Sequence, residues 1–243
     1  WDAVLAKYDS AGNLIFAFRI GGTGEDRGHR IAIDYMGNIL VIGSFEGTVD
    51  FDPGPGITNL VANGTYPDIF VAKYSPSGGL IFAFNIGSDY GGGPGDIDAD
   101  QDGNILIVGR FYCTHDFDPG LDVLNLTAAT SNINLFIAKY DPDGKLIVAF
   151  NVVGDHYAYG RRITSDSDNN ILVTGSFTRT ADFDPGPDTY NLTGGGFVEN
   201  DIFVAKYDPR GRLIFAFPIN SINSTVTEEG FGISVDATDN IFV

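Results

Sequence analysis

Asp68-Ile69-Phe70-Val71-Ala72-Lys73-Tyr74-Ser75-Pro76-Ser77-Gly78-Gly79-Leu80-Ile81-Phe82-Ala83-Phe84 is two apolar runs joined by a short polar turn. Ser and Pro early in the turn and Gly late in it are what a reversal needs, because glycine takes positive φ cheaply. The stretch reads as a β-hairpin, and it recurs. Lys-Tyr stands at Lys7-Tyr8, Lys73-Tyr74, Lys139-Tyr140 and Lys206-Tyr207, spaced by 66, 66 and 67 residues. A glycine follows each, at Gly12, Gly78, Gly144 and Gly211, and then an apolar run: Leu14 to Phe18, Leu80 to Phe84, Leu146 to Phe150 and Leu213 to Phe217. A fixed period of this length is the mark of a repeat architecture.

Each unit carries a second hairpin. Asp34, Asp100, Asp166 and Asp236 recur, each four residues before Asn38, Asn104, Asn170 and Asn240, and each Asn opens an apolar run such as Ile39-Leu40-Val41-Ile42. A third element, Asp-Phe-Asp-Pro-Gly, appears at Asp50 to Gly54, Asp116 to Gly120 and Asp182 to Gly186. No segment has a helical 3.6 period. Several strands are apolar at nearly every position, whereas a sheet with one wet face would alternate. Strands of this kind need cover on both faces, which neighbouring blades of a β-propeller supply. The expected fold is all-β, a propeller of ~66-residue four-stranded blade repeats. It holds four blades' worth of sequence within a single domain spanning 1–243. An outer half-blade takes 1–25, blades take 26–91, 92–157 and 158–224, and an inner half-blade takes 225–243. The two half-blades either close a four-bladed ring or belong to a larger ring or a longer chain or assembly; the second is preferred.

The chain resembles the bacterial SBBP-type β-propeller repeat family. The resemblance is carried by Asp68 to Tyr74, by Ile20-Gly21-Gly22-Thr23-Gly24-Glu25-Asp26, and by Val49-Asp50-Phe51-Asp52-Pro53-Gly54-Pro55-Gly56. It implies an exported or cell-surface protein, so the expected localisation is extracellular or at the cell surface.

Composition narrows the partners. A net charge of −18 repels nucleic acid and anionic membranes and favours cations. No apolar run approaches the ~20 residues of a membrane helix, so neither nucleic acid nor membrane insertion is expected. Cys113 is the single cysteine. Without a metal-ligand or dyad pattern, it reads as a buried thiol acting as a small apolar side chain. His29, His115 and His156 share no ligand spacing.

The candidate cofactor is calcium, which takes six to eight hard oxygens. Its candidate ligands are Asp50, Asp52, Asp116, Asp118, Asp182 and Asp184 in the repeated acidic loops, and Asp98, Asp100 and Asp102 in the run from Asp96 to Gly103. The competing reading is ordinary turns capped by aspartate. The recurring lysines lie inside apolar strands and call for acidic partners, for which Asp34, Asp100, Asp166 and Asp236 are the candidates. Sequons stand at Asn63, Asn125, Asn191 and Asn223. The near-equality of the units favours a non-enzymatic module for scaffolding, adhesion or ligand binding, with other surface proteins or polysaccharide as partners. The rivals are a hydrolase or lyase using channel carboxylates, and a carbohydrate-binding propeller presenting Tyr90, Tyr157 and Tyr159.

Overall fold

The computed structural model describes residues 1–87, 90–128, 132–194, 200–219 and 227–243. The described residues are all β, in the following order. β1 (Ala3–Tyr8) and β2 (Leu14–Ile20) form a two-stranded sheet. β3 (Arg27–Ile33) and β4 (Ile39–Phe45) lead through a small hairpin, β5 (Thr48–Asp50) and β6 (Asn59–Val61), into β7 (Asp68–Tyr74) and β8 (Leu80–Ile86). The long strands pair in the order β3-β4-β7-β8, antiparallel throughout. The second unit repeats this as β9 (Gly92–Ala99), β10 (Ile105–Phe111), β11 (Thr114–Asp116), β12 (Asn125–Thr127), β13 (Asn134–Tyr140) and β14 (Leu146–Gly154). The third does so as β15 (Ala158–Ser165), β16 (Ile171–Phe177), β17 (Thr180–Asp182), β18 (Asn191–Thr193), β19 (Asp201–Tyr207) and β20 (Leu213–Ile219). A last hairpin joins β21 (Ser234–Val235) to β22 (Ile241–Phe242).

The four-stranded sheets stack face to face in chain order. The innermost strand β9 packs against both β3 and β15, which is a propeller-like arrangement. Backbone bonds also cross between units. β14 overruns its blade and pairs with β17, Val153 opposite Asp182 and Gly154 opposite Ala181, extending that sheet to six strands. No ring closes within the described residues, because β1–β2 and β21–β22 each pair only with themselves.

Stacking explains the apolar strands. β7 and β13 are buried at every position. The outermost strands are a correction to the expectation of cover on both faces: Ile81, Ile147 and Ile214 remain about half exposed, at 48%, 47% and 49%. They lie on the outermost strand of each sheet, with no further long strand beyond them.

The recurring motifs meet in one lock. Phe51, Phe117 and Phe183 of the acidic element are fully buried, each against a phenylalanine of the third long strand, with Phe51–Phe70, Phe117–Phe136 and Phe183–Phe203 ring centroids 5.0, 5.0 and 4.9 Å apart. The tyrosine of three of the four Lys-Tyr pairs donates its hydroxyl to the carbonyl of that same phenylalanine: Tyr74 to Phe51 (3.1 Å), Tyr140 to Phe117 (2.9 Å) and Tyr207 to Phe183 (3.1 Å). A donor inside an apolar core needs such a partner. Burial, and then the nearby Asp52 and Asp50 carboxylates, push the Tyr74 phenol well above its ordinary range.

The lysines pair as expected with three of the four recurring aspartates: Lys73 with Asp34 (3.0 Å), Lys139 with Asp100 (2.7 Å) and Lys206 with Asp166 (2.6 Å). Lys73 also donates to the Pro142 carbonyl of the next blade at 2.9 Å, and Lys7 to that of Pro76 at 2.8 Å. Lys139 and Asp100 are almost fully buried (side chains 3% and 0% exposed). Removing one partner from a buried pair leaves an uncompensated charge and costs about 3–5 kcal/mol. Lys139→Met should therefore lower unfolding stability by about 3 kcal/mol or more, and Lys7→Met, at a half-buried site with no carboxylate partner among the described residues, by less than about 1 kcal/mol. Urea midpoints measure both; equal effects would mean that the buried pair is not the stronger fastener.

Candidate functional site

The acidic elements expected as calcium loops form small hairpins between the second and third long strands of each blade. In the first, Asp50 Oδ1 accepts from the backbone N–H of Asp52 (3.1 Å) and of Thr58 (2.8 Å), and Asp52 Oδ1 accepts from Gly54 N–H at 2.7 Å. The copies repeat this. Asp116 accepts from Asp118 and Leu124, Asp118 from Gly120, Asp182 from Asp184 and Tyr190, and Asp184 from Gly186. These carboxylates organise their own turns, leaving each Oδ2 as the atom through which a hard cation would be held.

The denser run is spread over separate tasks. Asp100 Oδ1 accepts from the N–H groups of Asp102 (3.0 Å) and Asn104 (2.9 Å), and its Oδ2 meets Lys139 and the Asn104 side-chain amide. Asp102 Oδ2 accepts from Asn169 Nδ2 of the next blade at 2.8 Å. Asp96 and Asp98 lie on β9. Asp96 Oδ2 accepts from Ile163 N–H at 3.2 Å, and Asp98 Oδ1 from Ala99 N–H at 2.9 Å. Burial raises both carboxyls above the ordinary value, against hydrogen bonds from Ile163 and Ile97 for Asp96, and from Ala99 and Thr164 for Asp98. Among the described residues no group of three or more His, Cys, Asp or Glu side chains is gathered as a metal cluster. Because Oδ1 of every loop aspartate is already used locally, a chelator is expected to leave the melting temperature unchanged, while Asp116→Ala should lower it. A drop of several degrees on chelation, reversed by calcium, would instead assign an ion to the Oδ2 atoms.

The concave feature lies elsewhere. A cavity of about 630 Å³ opens among Tyr66, Pro67, Tyr90, Tyr112, Cys113 and Asn132, floored by Gly91 and Gly92. Its tyrosines are specific to one place in the array: Tyr112 follows Phe111 where the other copies carry Glu46 and Thr178. No lining side chain is charged. Asn132 is fixed by donating Nδ2 to the Gly154 carbonyl at 3.0 Å. Of the tyrosines expected around a pocket, only Tyr90 lines this one. Tyr157 and Tyr159 stack on each other at 6.0 Å, and Arg110 and Arg161 lie over Tyr159 at 5.3 and 5.5 Å. The sequence reading missed Tyr66 and Tyr112. Their signal was present as aromatic exceptions at repeat positions that are otherwise polar.

Beneath the cavity lies His115, where the other copies have Val49 and Ala181. It is buried, and its Nε2 is 2.9 Å from the carbonyl of Gly91. Burial pulls the imidazole down to about 4, outweighing the backbone contacts of Gly91 and Tyr112 that act the other way. Cys113, expected as a buried thiol, is instead exposed at the cavity wall with φ at 55°. Of the sequons, Asn63, Asn125 and Asn191 are exposed, and Asn223 falls outside the described residues, as does much of the variable loop from Ile219 to Gly230.

No family model matches the chain. It is similar to an uncharacterized WD repeat-containing protein of Acanthamoeba polyphaga mimivirus, at 25% identity over 253 aligned positions, covering 92% of this chain and 18% of that protein. The chain thus spans less than a fifth of that relative's length. A crystal structure of a protein of unknown function from Bacteroides caccae aligns over 90% of this chain and 94% of that one at 10% identity, with a TM-score of 0.27, too low to carry an argument. The stacked four-stranded sheets and the WD-repeat likeness together support a propeller-type repeat module.

The buried imidazole gives this region a pH signature. His115 stays neutral in the folded chain down to about 4, whereas an unfolded histidine takes its proton near ~6.5. A depressed folded value means that the unfolded state binds the extra proton, so stability falls as pH drops from about 6.5 to about 4, by up to ~1.4 kcal/mol per pH unit. His115→Val should flatten that slope in denaturation midpoints measured across the window. An unchanged slope would place the acid sensitivity on other groups.

Proposed function

We propose that the chain is a non-enzymatic β-propeller module of an extracellular or cell-surface protein, and that it binds a neutral saccharide chain in the cavity of Tyr66, Tyr90 and Tyr112. The single observation carrying this reading is the cavity itself, the place where the repeat gives up its symmetry to exposed aromatic side chains. Tyrosine offers a flat apolar face with a polar tip, suited to a partner that is apolar on its ring faces and wet at its hydroxyls. A charged ligand would call for a charged partner, and the lining side chains are neutral. The surrounding charge of −18 disfavours acidic polysaccharides. The resemblance to SBBP-type repeats supports export, and the stacked sheets support a blade count of three with a half-blade at either end.

The non-enzymatic reading draws on where the perturbed carboxyls lie. Asp96, one of the two inner-strand carboxyls raised by burial, is tied to the neighbouring blade through Ile163 N–H and stands 3.8 Å from Arg30. Calcium is not required by this reading; the Oδ2 atoms of the six loop aspartates are where it would be held, and the chelation experiment decides it.

Binding to immobilised neutral glucans, mannans and galactans tests the proposal, with an acidic polymer alongside. A neutral polymer should bind, and Tyr90→Ala should weaken it about fivefold, the scale of one lost aromatic stacking contact of about 1 kcal/mol. Binding of the acidic polymer alone, or equal binding by wild type and Tyr90→Ala, would sink it.

A further inference from the structure

In this acidic chain, positive charge gathers on and beside the inner strands. Arg27 and Arg30 lie on β3, Arg110 on β10, and Arg161 and Arg162 on β15. Three of them meet carboxylates: Arg27 meets Glu25 at 2.6 Å, Arg30 meets Asp96 at 3.8 Å and Arg161 meets Glu229 at 2.8 Å. Arg110 has no carboxylate partner among the described residues. Its guanidinium lies over the ring of Tyr159 at 5.3 Å, which offers an aromatic face and no charge. Arg110 is also a departure from the repeat, since Ser44 and Ser176 stand at its position. The ladder shows the equivalence: Arg110 is opposite Gly93, as Ser44 is opposite Arg27 and Ser176 opposite Tyr159.

His29 departs from the repeat in the same neighbourhood. The inner strand of each blade carries one bulged residue: His29, Gly95 and Arg161. A Cβ on Gly95 would strike the Gly160 carbonyl of the third blade, so the bulge aims at the next blade. His29 takes that place in the first blade and lines a cleft of about 220 Å³ between the first and second blades, with Glu25, Arg27, Ser44, Gly93 and Arg110. Its Nε2 is 3.3 Å from Ser44 Oγ. Partial burial first, and then the guanidiniums of Arg30, Arg27 and Arg110, hold the imidazole below its ordinary value. The other carboxylates around His29 are engaged. Asp96 takes Arg30 and Ile163 N–H, Asp2 takes Arg19, and Asp26 accepts from the N–H groups of Gly22 and Glu46. Arg27 and Glu25 offset each other, which leaves the Arg110 charge uncompensated.

We propose that this cleft binds a tetrahedral dianion, a phosphate or sulfate group, between the guanidiniums of Arg110 and Arg27, with Ser44 Oγ and the His29 ring as further donors. A guanidinium fork matches such oxyanions in geometry as well as in charge. The dianion also matches the charge available. Arg27, Arg110 and Glu25 leave one net positive charge, and a proton on His29 makes it two. A carboxylate, with a single charge, would not call for both. The anion favours the protonated imidazole, and the protonated imidazole favours the anion, by the same coupling. Affinity therefore rises as pH falls through the histidine range. The acidic exterior does not prevent this, because its field is screened over ~8 Å at physiological ionic strength while the cleft charges act at contact. The site shares Pro67 and Gly92 with the tyrosine cavity but none of its tyrosines, and it does not rest on the saccharide reading.

Titration calorimetry of the chain with sodium sulfate and with inorganic phosphate, against chloride at matched ionic strength, tests this. Both oxyanions should bind saturably. Arg110→Ser puts the sister repeats' own residue in place, so the fold should persist by circular dichroism. Affinity should nevertheless drop by about tenfold or more, the scale of one lost charge-assisted hydrogen bond. Sulfate keeps its charge across the histidine range, so it reports the imidazole alone. Its binding should tighten severalfold from about pH 8 to about pH 6 in the wild type and stay level in His29→Gln. A hexose phosphate that binds more tightly than inorganic phosphate would assign the ligand to a phosphomonoester, and the reverse order to the free ion. No saturable binding of either oxyanion, equal affinity in wild type and Arg110→Ser, chloride competing as well as sulfate, or a pH dependence that survives in His29→Gln would overturn the proposal.

Discussion

A buried ammonium that must be neutralised holds this architecture together. Each repeat carries a lysine on its third long strand, inside a stretch that is otherwise apolar. The charge has to find a carboxylate, and the nearest is the aspartate that opens the turn of the same blade's inner hairpin. Lys73 reaches Asp34 and, in the same cluster of bonds, the Pro142 carbonyl of the following blade. One side chain thus ties the outer hairpin to the inner one and one blade to the next. The aspartate is shared in turn. Asp34 Oδ1 accepts the N–H groups of Met36 and Asn38, while its Oδ2 faces the lysine and Asn38 Nδ2. Burial works to raise this carboxyl, and the hydrogen bonds from Asn38 and Lys73 more than offset it, so that it lies below its ordinary value. Packing the blades and shaping the turn are therefore one problem with one solution, which is why Lys, Tyr, Asp and Asn recur together.

The backbone imposes a second constraint. Gly37, Gly103, Asn169 and Asp239 occupy the same turn position and all have positive φ, as do Gly47, Cys113 and Arg179 at the entrance to the small hairpins. Non-glycine residues pay roughly 1 kcal/mol or more for that conformation. The array tolerates them because the flanking ladders and the phenylalanine lock fix the turn from both sides. Gly43, Gly109 and Gly175 allow less freedom. A Cβ at any of them would collide with the backbone of the neighbouring inner strand, at Arg27, Gly93 or Tyr159. Each also faces the ring of Phe70 or Phe136 in the first two blades. Sequence drift is thus permitted where a turn is merely strained and refused where two atoms would overlap.

The fold was legible because its period is long and its motifs are chemically unusual. A lysine inside an apolar strand announced its aspartate, and strands without alternation announced cover on both faces, which holds for β7 and β13 and fails at the outermost strands. The acidic elements are harder to read. Two aspartates flanking a phenylalanine suit either a cation loop or a capped turn in one dimension. In three dimensions the phenylalanine is the working part, plugged against Phe70 and capped by Tyr74, while the aspartates satisfy the turn it requires. The cavity was barely legible. Tyr66, Tyr90 and Tyr112 are separated along the chain and meet only because the ends of two neighbouring blades converge. Their one sequence signal was an aromatic residue where the sister repeats have a polar one.

That contrast bears on how such a module acquires a function. Residues repeated in every blade are committed to holding the blades, since any change in one copy must be absorbed by the packing of its neighbours. Freedom lies at positions whose equivalents already differ. Around the second blade these are Tyr112 against Glu46 and Thr178, His115 against Val49 and Ala181, and Cys113 against Gly47 and Arg179. All three exceptions cluster at one end of the same small hairpin, around one cavity. His115 shows what was given up for the change. An apolar residue would fill that position without a polar atom to satisfy, whereas the imidazole has to be kept neutral by burial and anchored to Gly91. A substitution that costs solvation at a buried position, beside two further departures from the repeat, is a local divergence from the packing that the sister repeats keep.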